Sequence, residues 1–126
     1  MAKRDIPKPT ESELELLSIL WERRQATVRE LFDAVNAQRS VVYTGVLKLL
    51  QIMTEKGLVE RDETERAHVY RAAVAKEDTE RRFMRDLSDR FFAGSAARLA
   101  LNALEMEAAT EEDLEEIRKL LRRKRS

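Results

Sequence analysis

Apolar side chains recur every three or four residues along most of the chain, a spacing that predicts a mainly α-helical protein. The first such stretch follows a capping box of Thr10 and Glu13, in which each side chain satisfies a free backbone N–H, and it continues to about Arg23. A second capping box, Thr27 with Glu30, begins a shorter stretch that ends near residue 36. Both prolines precede residue 10, so nothing later in the chain forces a helix to break.

A third helix is predicted to begin at Ser40, whose hydroxyl can cap it, and to end at Lys56 and Gly57. The pattern then changes, because residues 58–62 and 67–72 are short β-permissive runs on either side of a polar tip. Three helices followed by a hairpin are the plan of a winged helix. In this helix-turn-helix variant the third helix enters the major groove of DNA and the two-stranded wing lies along the backbone.

Helical spacing returns after Lys76 and predicts three further helices. Their apolar residues have few partners in the chain, so self-association would bury them. We therefore expect a flexible arm in residues 1–9, a winged-helix DNA-binding domain in residues 10–75 and a helical dimerisation region in residues 76–126. The expected dimerisation residues are Phe83, Leu87, Phe91, Leu99, Leu114, Ile117 and Leu121.

The composition excludes several classes of function. The chain has no cysteine and one histidine, His68, which rules out disulfides, thiolate zinc sites and histidine clusters. Three glycines cannot supply a phosphate-binding loop. We therefore expect no enzyme, metal, cofactor or small-molecule substrate. No stretch approaches the roughly 20 apolar residues of a membrane span, so we expect a cytoplasmic protein without membrane insertion.

Several short motifs resemble a known family of bacterial regulators. They are Tyr43-Thr44-Gly45-Val46-Leu47, Lys56-Gly57-Leu58-Val59 and Val69-Tyr70-Arg71. Together they resemble the penicillinase-repressor family, with its BlaI, MecI and CopY relatives, over roughly residues 10–121. The resemblance implies a homodimeric repressor that binds double-stranded operator DNA through its N-terminal part and dimerises through C-terminal helices. It also implies proteolytic release in the antibiotic-responsive members. The cysteine pair that binds metal in CopY-like members is missing here.

Candidate DNA-binding residues lie on the third helix, its approach and the hairpin. Thr44, Lys48 and Gln51 share the helix face opposite the apolar stripe, where a docked helix presents side chains to base edges. Tyr43 either contacts a phosphate or packs against the second helix. The full set also includes residues expected to position the backbone: Arg39, Ser40, Tyr43, Arg61, Arg66 and Arg71.

Some features of the sequence depart from this interpretation. Relatives often carry threonine where this chain has Gly45 and arginine where it has Ile52, which puts the operator sequence in doubt. The cleaved Asn-Phe bond of antibiotic-responsive relatives aligns with Asn102-Ala103, which weakens the case for a membrane sensor protease as a partner. Residues 1–75 and 76–126 each carry 12 basic and 12 acidic side chains, so neither part has the net positive charge typical of a DNA binder.

The neutral charge leaves an alternative function open, a winged-helix module that binds protein rather than DNA. In this alternative, Ile52 and the apolar C-terminal helices form the contact surface. A further charge pattern lies near the C-terminus, where residues 105–116 carry seven acids and residues 118–126 six bases. That order matches the helix dipole, and we interpret it as a solvated helix rather than a second DNA site.

Overall fold

The structure is a computed structural model that describes residues 5–125, and within this range it has six helices and three short strands. In chain order they are α1 Glu11–Arg23, β1 Ala26–Thr27, α2 Val28–Asn36, α3 Tyr43–Lys56, β2 Val59–Asp62, β3 Val69–Ala72, α4 Lys76–Phe91, α5 Ala96–Met106 and α6 Glu111–Arg125. The predicted class, three helices and a wing followed by further helices, is confirmed. The chain forms two compact units that divide between Phe83 and Met84, within α4 and later than the expected boundary after residue 75.

The first unit contains an antiparallel sheet with strand order β1-β3-β2. The sequence predicted only the two wing strands, because β1 has two residues and is too short to show any periodicity. In β3, Tyr70 lies opposite Ala26 on one side and Arg61 on the other, and its side chain is buried. Strand β1, which directly precedes α2, therefore attaches the wing to the start of that helix.

The core of the first unit is built from the apolar stripes of α1, α2 and α3, together with the base of the hairpin. Its fully buried aliphatic residues are Leu16, Leu17, Leu20, Leu31, Leu50, Met53 and Leu58. The indole Nε1 of Trp21 donates a hydrogen bond of 2.9 Å to the carbonyl of Val74, which fixes α1 to the chain leaving β3. These contacts orient α3, so that its other face is left to solvent.

The predicted ends of the helices are largely confirmed, with one exception. Both capping boxes form, and Gly57 ends α3 in the left-handed conformation with φ +85°. Ser40, however, does not cap α3, which begins at Tyr43 after an extended Val42 that makes no side-chain cap. The physical reason is the Asn36 side chain, which accepts a hydrogen bond of 3.2 Å from the Val41 N–H and holds the preceding residues in a turn.

The N-terminal segment differs from the expected flexible arm where it is described. Pro9 is buried, and Ile6 packs against the core beside Gly57. Arg82 of α4 donates a hydrogen bond to the carbonyl of Ile6, and the Nζ atom of Lys8 lies 5.0 Å from the centre of the Phe83 ring. Residues 5–9 are therefore held against the first unit, while residues 1–4 of the expected arm lie outside the described range.

A partly buried ion pair joins the start of α1 to the end of α3. The Glu13 side chain is 1% exposed, and its Oε2 accepts a hydrogen bond of 2.8 Å from Lys56 Nζ, while Oε1 accepts one from the Thr10 N–H. Burial raises the pKa of Glu13, but the hydrogen bonds from Lys56 and Thr10 outweigh it and hold the pKa below its ordinary value. The carboxylate is thus a capping group of α1 and also the anchor of the C-terminal end of α3.

Replacing this carboxylate is expected to lower stability in a pH-dependent way. Glu13→Gln removes the negative charge opposite Lys56 and should cost about 1–3 kcal/mol of unfolding free energy at neutral pH, measured by urea denaturation. Because the folded pKa is depressed, this stabilisation is present above the unfolded pKa of about 4.5 and is lost as pH falls through the folded value. The difference between variant and native protein should shrink correspondingly in acid.

The second capping box supplies the matched control for that prediction. Glu30 occupies the equivalent position of α2, where its Oε1 accepts a 2.8 Å hydrogen bond from the Thr27 N–H, but it lies at the surface and pairs with no lysine among residues 5–125. Glu30→Gln should therefore destabilise the protein less than Glu13→Gln. Equal losses from the two variants would show that the pairing with Lys56 adds nothing to the cap.

The second unit leaves many of its large apolar residues exposed to solvent. No residue of α5 or α6 is buried within the described range, although both helices carry regular apolar stripes. The exposed large apolar residues of this unit are Met84, Leu87, Phe91, Leu101, Leu104, Met106, Leu120 and Leu121. Among the helices of residues 5–125, none combines the length and the apolar character that crossing a bilayer requires.

Candidate nucleic-acid interface

The start of α3 presents unpaired backbone donors to solvent. Gly45 and Val46 donate to the carbonyl of Val42, but the amides of Tyr43 and Thr44 have no acceptor in the described part of the chain. Val42 makes no side-chain cap, so these amides and the positive end of the helix dipole remain available. A helix start of this kind suits a phosphate group.

The predicted recognition face of α3 is exposed along its length. Thr44, Lys48 and Gln51 are all exposed, and the opposite face buries Val46 and Leu50. Lys48 forms no ion pair with any residue in the range 5–125. Its charge is therefore available to a partner, and from residue 37 to residue 54 the chain carries no acidic side chain that would repel an anion.

Tyr43 packs against the second helix, which was one of the two expected roles. Its ring lies 5.6 Å from the ring of Phe32 at an interplanar angle of 67°, an edge-to-face contact. Arg29 lies over the other ring of this pair, with its guanidinium carbon 5.6 Å from the Phe32 centre. Tyr43 nevertheless remains 39% exposed. The packing fixes the start of α3 and leaves part of the side chain accessible.

The approach to α3 holds Arg39 in an ion pair that sequence reasoning did not find. Its Nη2 lies 2.6 Å from Glu15 Oε1 on α1, and the hydrogen bond to that carboxylate raises the pKa of Arg39. Because the two residues are 24 positions apart, no local pattern connects them. Ser40, next in the chain, is exposed in the turn. A phosphate contact by Arg39 would have to compete with Glu15.

The wing divides its arginines between two faces. Arg71 lies opposite Glu60, and its Nε is 3.3 Å from Glu60 Oε2, whereas Arg61 lies opposite the buried Tyr70. Residues paired across antiparallel strands share a face, and neighbours along a strand point to opposite faces. Arg61 and Arg71 therefore do not present one common surface, contrary to what a simple basic stripe along the wing would require.

The tip of the wing is ordered by a turn that the sequence did not predict. Asp62 Oδ1 accepts hydrogen bonds from the backbone N–H and the hydroxyl of Thr64, and these contacts lower the pKa of Asp62. Arg61 pairs with Glu63 at 2.9 Å, while Arg66 is exposed at the tip and has no ionic partner among the described residues. Arg66 is thus the most available arginine of the wing.

The two positions that depart from relatives have different surroundings. A Cβ atom at Gly45 would meet nothing within 4 Å, so the fold itself gives no reason for a glycine in this exposed turn of α3. Ile52 is half-buried, so part of its side chain is already withdrawn from solvent in the single chain. The presence of a glycine at position 45 is therefore not explained by the packing of the protein alone.

The expected dimerisation residues are exposed to different degrees. Leu87 is exposed, Phe91 is 72% exposed, and Leu121 is 54% exposed. The remaining four are half-buried: Phe83, Leu99, Leu114 and Ile117. Asn102 and Ala103, the expected cleavage position, are both exposed within α5, and the Asn102 side chain donates a 2.8 Å hydrogen bond to the carbonyl of Arg98.

Solved structures similar to this chain are winged-helix domains. One is the solution structure of the DNA-binding domain of the repressor BlaI, with a TM-score of 0.53 and 18% identity over 60% of this chain and 93% of that one. Another is the Bacillus licheniformis BlaI monomeric form in complex with the blaP half-operator, with a TM-score of 0.52 and 19% identity over 59% of this chain and 90% of that one. At these identities the similarity establishes the fold.

Curated relatives extend the similarity to almost the whole chain. The methicillin resistance regulatory protein MecI of Mammaliicoccus sciuri is 22% identical over 113 residues, which cover 90% of this chain and 92% of the relative. The transcriptional regulator BlaI of Mycobacterium tuberculosis is 37% identical over 59 residues, 46% of this chain and 43% of the relative. The sequence profile of the penicillinase repressor family matches residues 9–123. The chain therefore belongs to the penicillinase repressor family.

Proposed function

We propose that this chain is a DNA-binding transcriptional repressor that occupies a pseudo-palindromic operator as a homodimer. The observation that carries the proposal is the exposed polar face of α3, where Thr44, Lys48 and Gln51 lie opposite the buried stripe beside an uncapped helix start. A helix of this shape fits the major groove, where lysine pairs with guanine or phosphate and glutamine with adenine. Membership of the family and the DNA-bound state of the BlaI relative support the same conclusion.

Backbone contacts are assigned to groups next to this face. The free amides of Tyr43 and Thr44 suit one phosphate, and the exposed Arg66 suits another at the tip of the wing. Three further arginines already have an acidic partner: Arg39, Arg61 and Arg71. We propose that each binds a phosphate only after it releases that carboxylate. Ser40 in the turn completes the proposed set. Such contacts position the helix, while the base contacts of α3 supply specificity.

The homodimer is proposed to form through the second unit. Leu87 and Phe91 on α4, Leu101 and Leu104 on α5, and Leu120 and Leu121 on α6 are exposed large apolar side chains, and clustered residues of this kind are typical of an interface. A second copy would bury this surface and would place two recognition helices on one duplex. A cytoplasmic location, with access to DNA, is part of this proposal, and no catalytic role is included.

Release by proteolysis is the proposed route to derepression. The Asn102-Ala103 bond lies in α5, which has no buried residue in the described chain, so local unwinding for a protease would disturb little packing. A membrane sensor protease is the proposed partner. Incubating the purified protein with such a protease and analysing fragments by mass spectrometry tests this directly. Cleavage at Asn102 supports the route, and an intact bond after complete activation of the protease removes it.

A specific observation also favours the alternative of a protein-binding module. The chain carries 24 basic and 24 acidic residues, and several of its large apolar side chains are exposed. Salt separates the two functions. Duplex affinity should fall with about one unit of log–log slope for each phosphate contact, whereas apolar protein contacts respond weakly. Fluorescence anisotropy with duplexes selected from genomic DNA measures the slope, and a protein that selects no duplex would favour the alternative.

Replacing Gly45 by alanine is expected to change both the stability of the free protein and its affinity for DNA. Gly45→Ala should stabilise the free protein by about 1 kcal/mol, because alanine has the better helix propensity and its methyl group would enter open space. If the duplex approaches the backbone at this turn, the same change should weaken operator binding. Thermal unfolding and anisotropy measure the two effects on one sample. Greater stability with unchanged affinity would show that Gly45 does not lie against DNA.

A further inference from the structure

In α6 every acidic residue precedes every basic residue. Residues 111–116 contain five acids and residues 118–125 six bases, with Ile117 between them. This order gives the helix a negative first half and a positive second half. Its apolar residues Leu114, Ile117 and Leu121 recur at helical spacing, and no residue of α6 is buried in the described chain. The helix thus combines a charge gradient with an apolar stripe that is half-buried at Leu114 and Ile117 and exposed at Leu121.

The charges near the middle of α6 are paired within the helix, but those at its ends are not. Glu115 lies 3.5 Å from Arg118 and 3.4 Å from Arg122, and Glu116 lies 3.5 Å from Lys119. The end residues have no ionic partner in residues 5–125: Glu111, Glu112, Arg123, Lys124 and Arg125. The two ends are separated by roughly 18 Å of helix, too far to neutralise each other.

We propose that α6 packs antiparallel against α6 of a second copy, across a two-fold axis near the midpoint of the helix. This inference rests on the homodimer of the proposed function and specifies its contact. In a two-fold symmetric contact, if residue i of one copy touches residue j of the other, then residue j of the first copy also touches residue i of the second. In an antiparallel pair the acidic half of each helix therefore faces the basic half of the other. A parallel pair would instead place acid against acid and base against base.

Three features favour this arrangement over a solvated helix. The antiparallel pair neutralises the end charges that are unpaired in the chain, and it covers Leu114, Ile117 and Leu121 at the same time. It also opposes the two helix dipoles head to tail. The dipole of α6 alone accounts for the order of the charges, but it gives no reason for the exposure of Leu120 and Leu121. The competing explanations can be separated by reversing the charges at one end or at both.

Three variants form the test. The acidic-end variant carries Glu111→Lys and Glu112→Lys, the basic-end variant carries Arg123→Glu and Lys124→Glu, and the quadruple variant carries all four changes. Asp113 is left intact because its Oδ2 accepts a hydrogen bond from the Thr110 N–H, while its own N–H donates to the Thr110 hydroxyl. Sedimentation velocity over a range of protein concentrations gives each dimer dissociation constant, at low and at high salt, and circular dichroism gives the helix content.

Reversing one end should weaken the dimer, and reversing both should restore it. In each double variant four contacts of the dimer change from attraction to repulsion, so the dissociation constant should rise by about 10- to 100-fold at low salt and less at high salt. In the quadruple variant the two halves are again complementary, and dimerisation should return. If the charges act only through the dipole of their own helix, the quadruple variant should instead be the weakest.

The outcomes also separate this inference from the homodimer itself. A native dimer with unchanged double variants would overturn the α6 pairing and leave the homodimer standing, as would a quadruple variant that fails to recover. A native chain that stays monomeric up to the highest concentration would remove both. If a double variant loses helix content, the milder pairs Glu111→Gln with Glu112→Gln and Arg123→Gln with Lys124→Gln should weaken the dimer in the same direction.

Discussion

Replacing Leu87 and Phe91 together by aspartate is expected to convert the protein to a monomer and to reduce operator affinity by at least about 100-fold. Both residues lie on one face of α4 and are exposed in the single chain, so they are available to a second copy. Four aspartates per dimer would be buried without partners. Each monomer would then bind one half-site and lose the gain from simultaneous engagement, which is commonly 10²–10⁴-fold.

Phe91 is a better target than Phe83 because the latter already contacts Lys8 and is half-buried. Arg85→Asp is the matched control, since it adds an acid to an exposed position of α4 outside the stripe. It should leave the dimer intact. Sedimentation and anisotropy on the same samples give oligomeric state and affinity. A double variant that remains dimeric would place the interface elsewhere, and a monomer with full affinity would remove the need for a dimer.

The second large effect is expected at Lys48. Lys48→Ala should reduce operator affinity by about 1–3 kcal/mol at each half-site if the side chain reads a base, with relaxed discrimination at one base pair. The reason is that Lys48 is exposed at the centre of the recognition face and forms no ion pair within the described residues. Anisotropy against operators substituted one base pair at a time measures both affinity and discrimination.

Arg81→Ala provides the control for the loss of positive charge. Arg81 is exposed on α4, outside the proposed interface, so its removal should change affinity slightly and without sequence dependence. Arg66→Ala on the wing should lower duplex affinity by an amount between those of Arg81→Ala and Lys48→Ala, because Arg66 is proposed to contact a phosphate. It should weaken binding to all duplexes alike and lower the slope of log affinity against log salt by about one. Unchanged affinity in Lys48→Ala would mean that α3 does not dock as proposed.

The sequence predicted the elements whose signals are local. The capping boxes at Thr10 and Thr27 and the stop at Gly57 lie within a few residues of the helix ends that they determine, and all three are found in the structure. The cap at Ser40 was wrong because the turn is held by Asn36, whose side chain reaches Val41 from the end of α2. The position of the Ser40 hydroxyl in the sequence gives no sign that the Asn36 side chain holds this turn instead.

The features that sequence reasoning missed are pairs distant along the chain. Glu13 and Lys56 are 43 residues apart and Arg39 and Glu15 are 24 apart, yet each pair forms a close contact because the core brings α1 against the helix-turn-helix segment. The second pair matters for the candidate site, since a basic residue read from sequence as free is already neutralised. A periodicity argument gives the face of a residue but not its partner.

The wing shows the same limit in another way. The sequence places three arginines in the predicted wing: Arg61, Arg66 and Arg71. The strand register, however, puts Arg61 and Arg71 on opposite faces of the sheet. Of these three, Arg66 alone is left at the tip without an ionic partner in the described chain. The charge available to DNA therefore depends on where single cations such as Lys48 and Arg66 lie, which the overall count of charges does not reveal.

The most direct test of the central claim is the dependence of affinity on the spacing between operator half-sites. Two α3 helices joined in one homodimer should reach half-sites whose centres lie on one face of the duplex, about one helical turn of 10–10.5 base pairs or a multiple apart. Inserting about five base pairs, half a turn, should reduce affinity to that of a single half-site, and inserting a full turn should recover part of it. Affinity that does not change with spacing would contradict the claim.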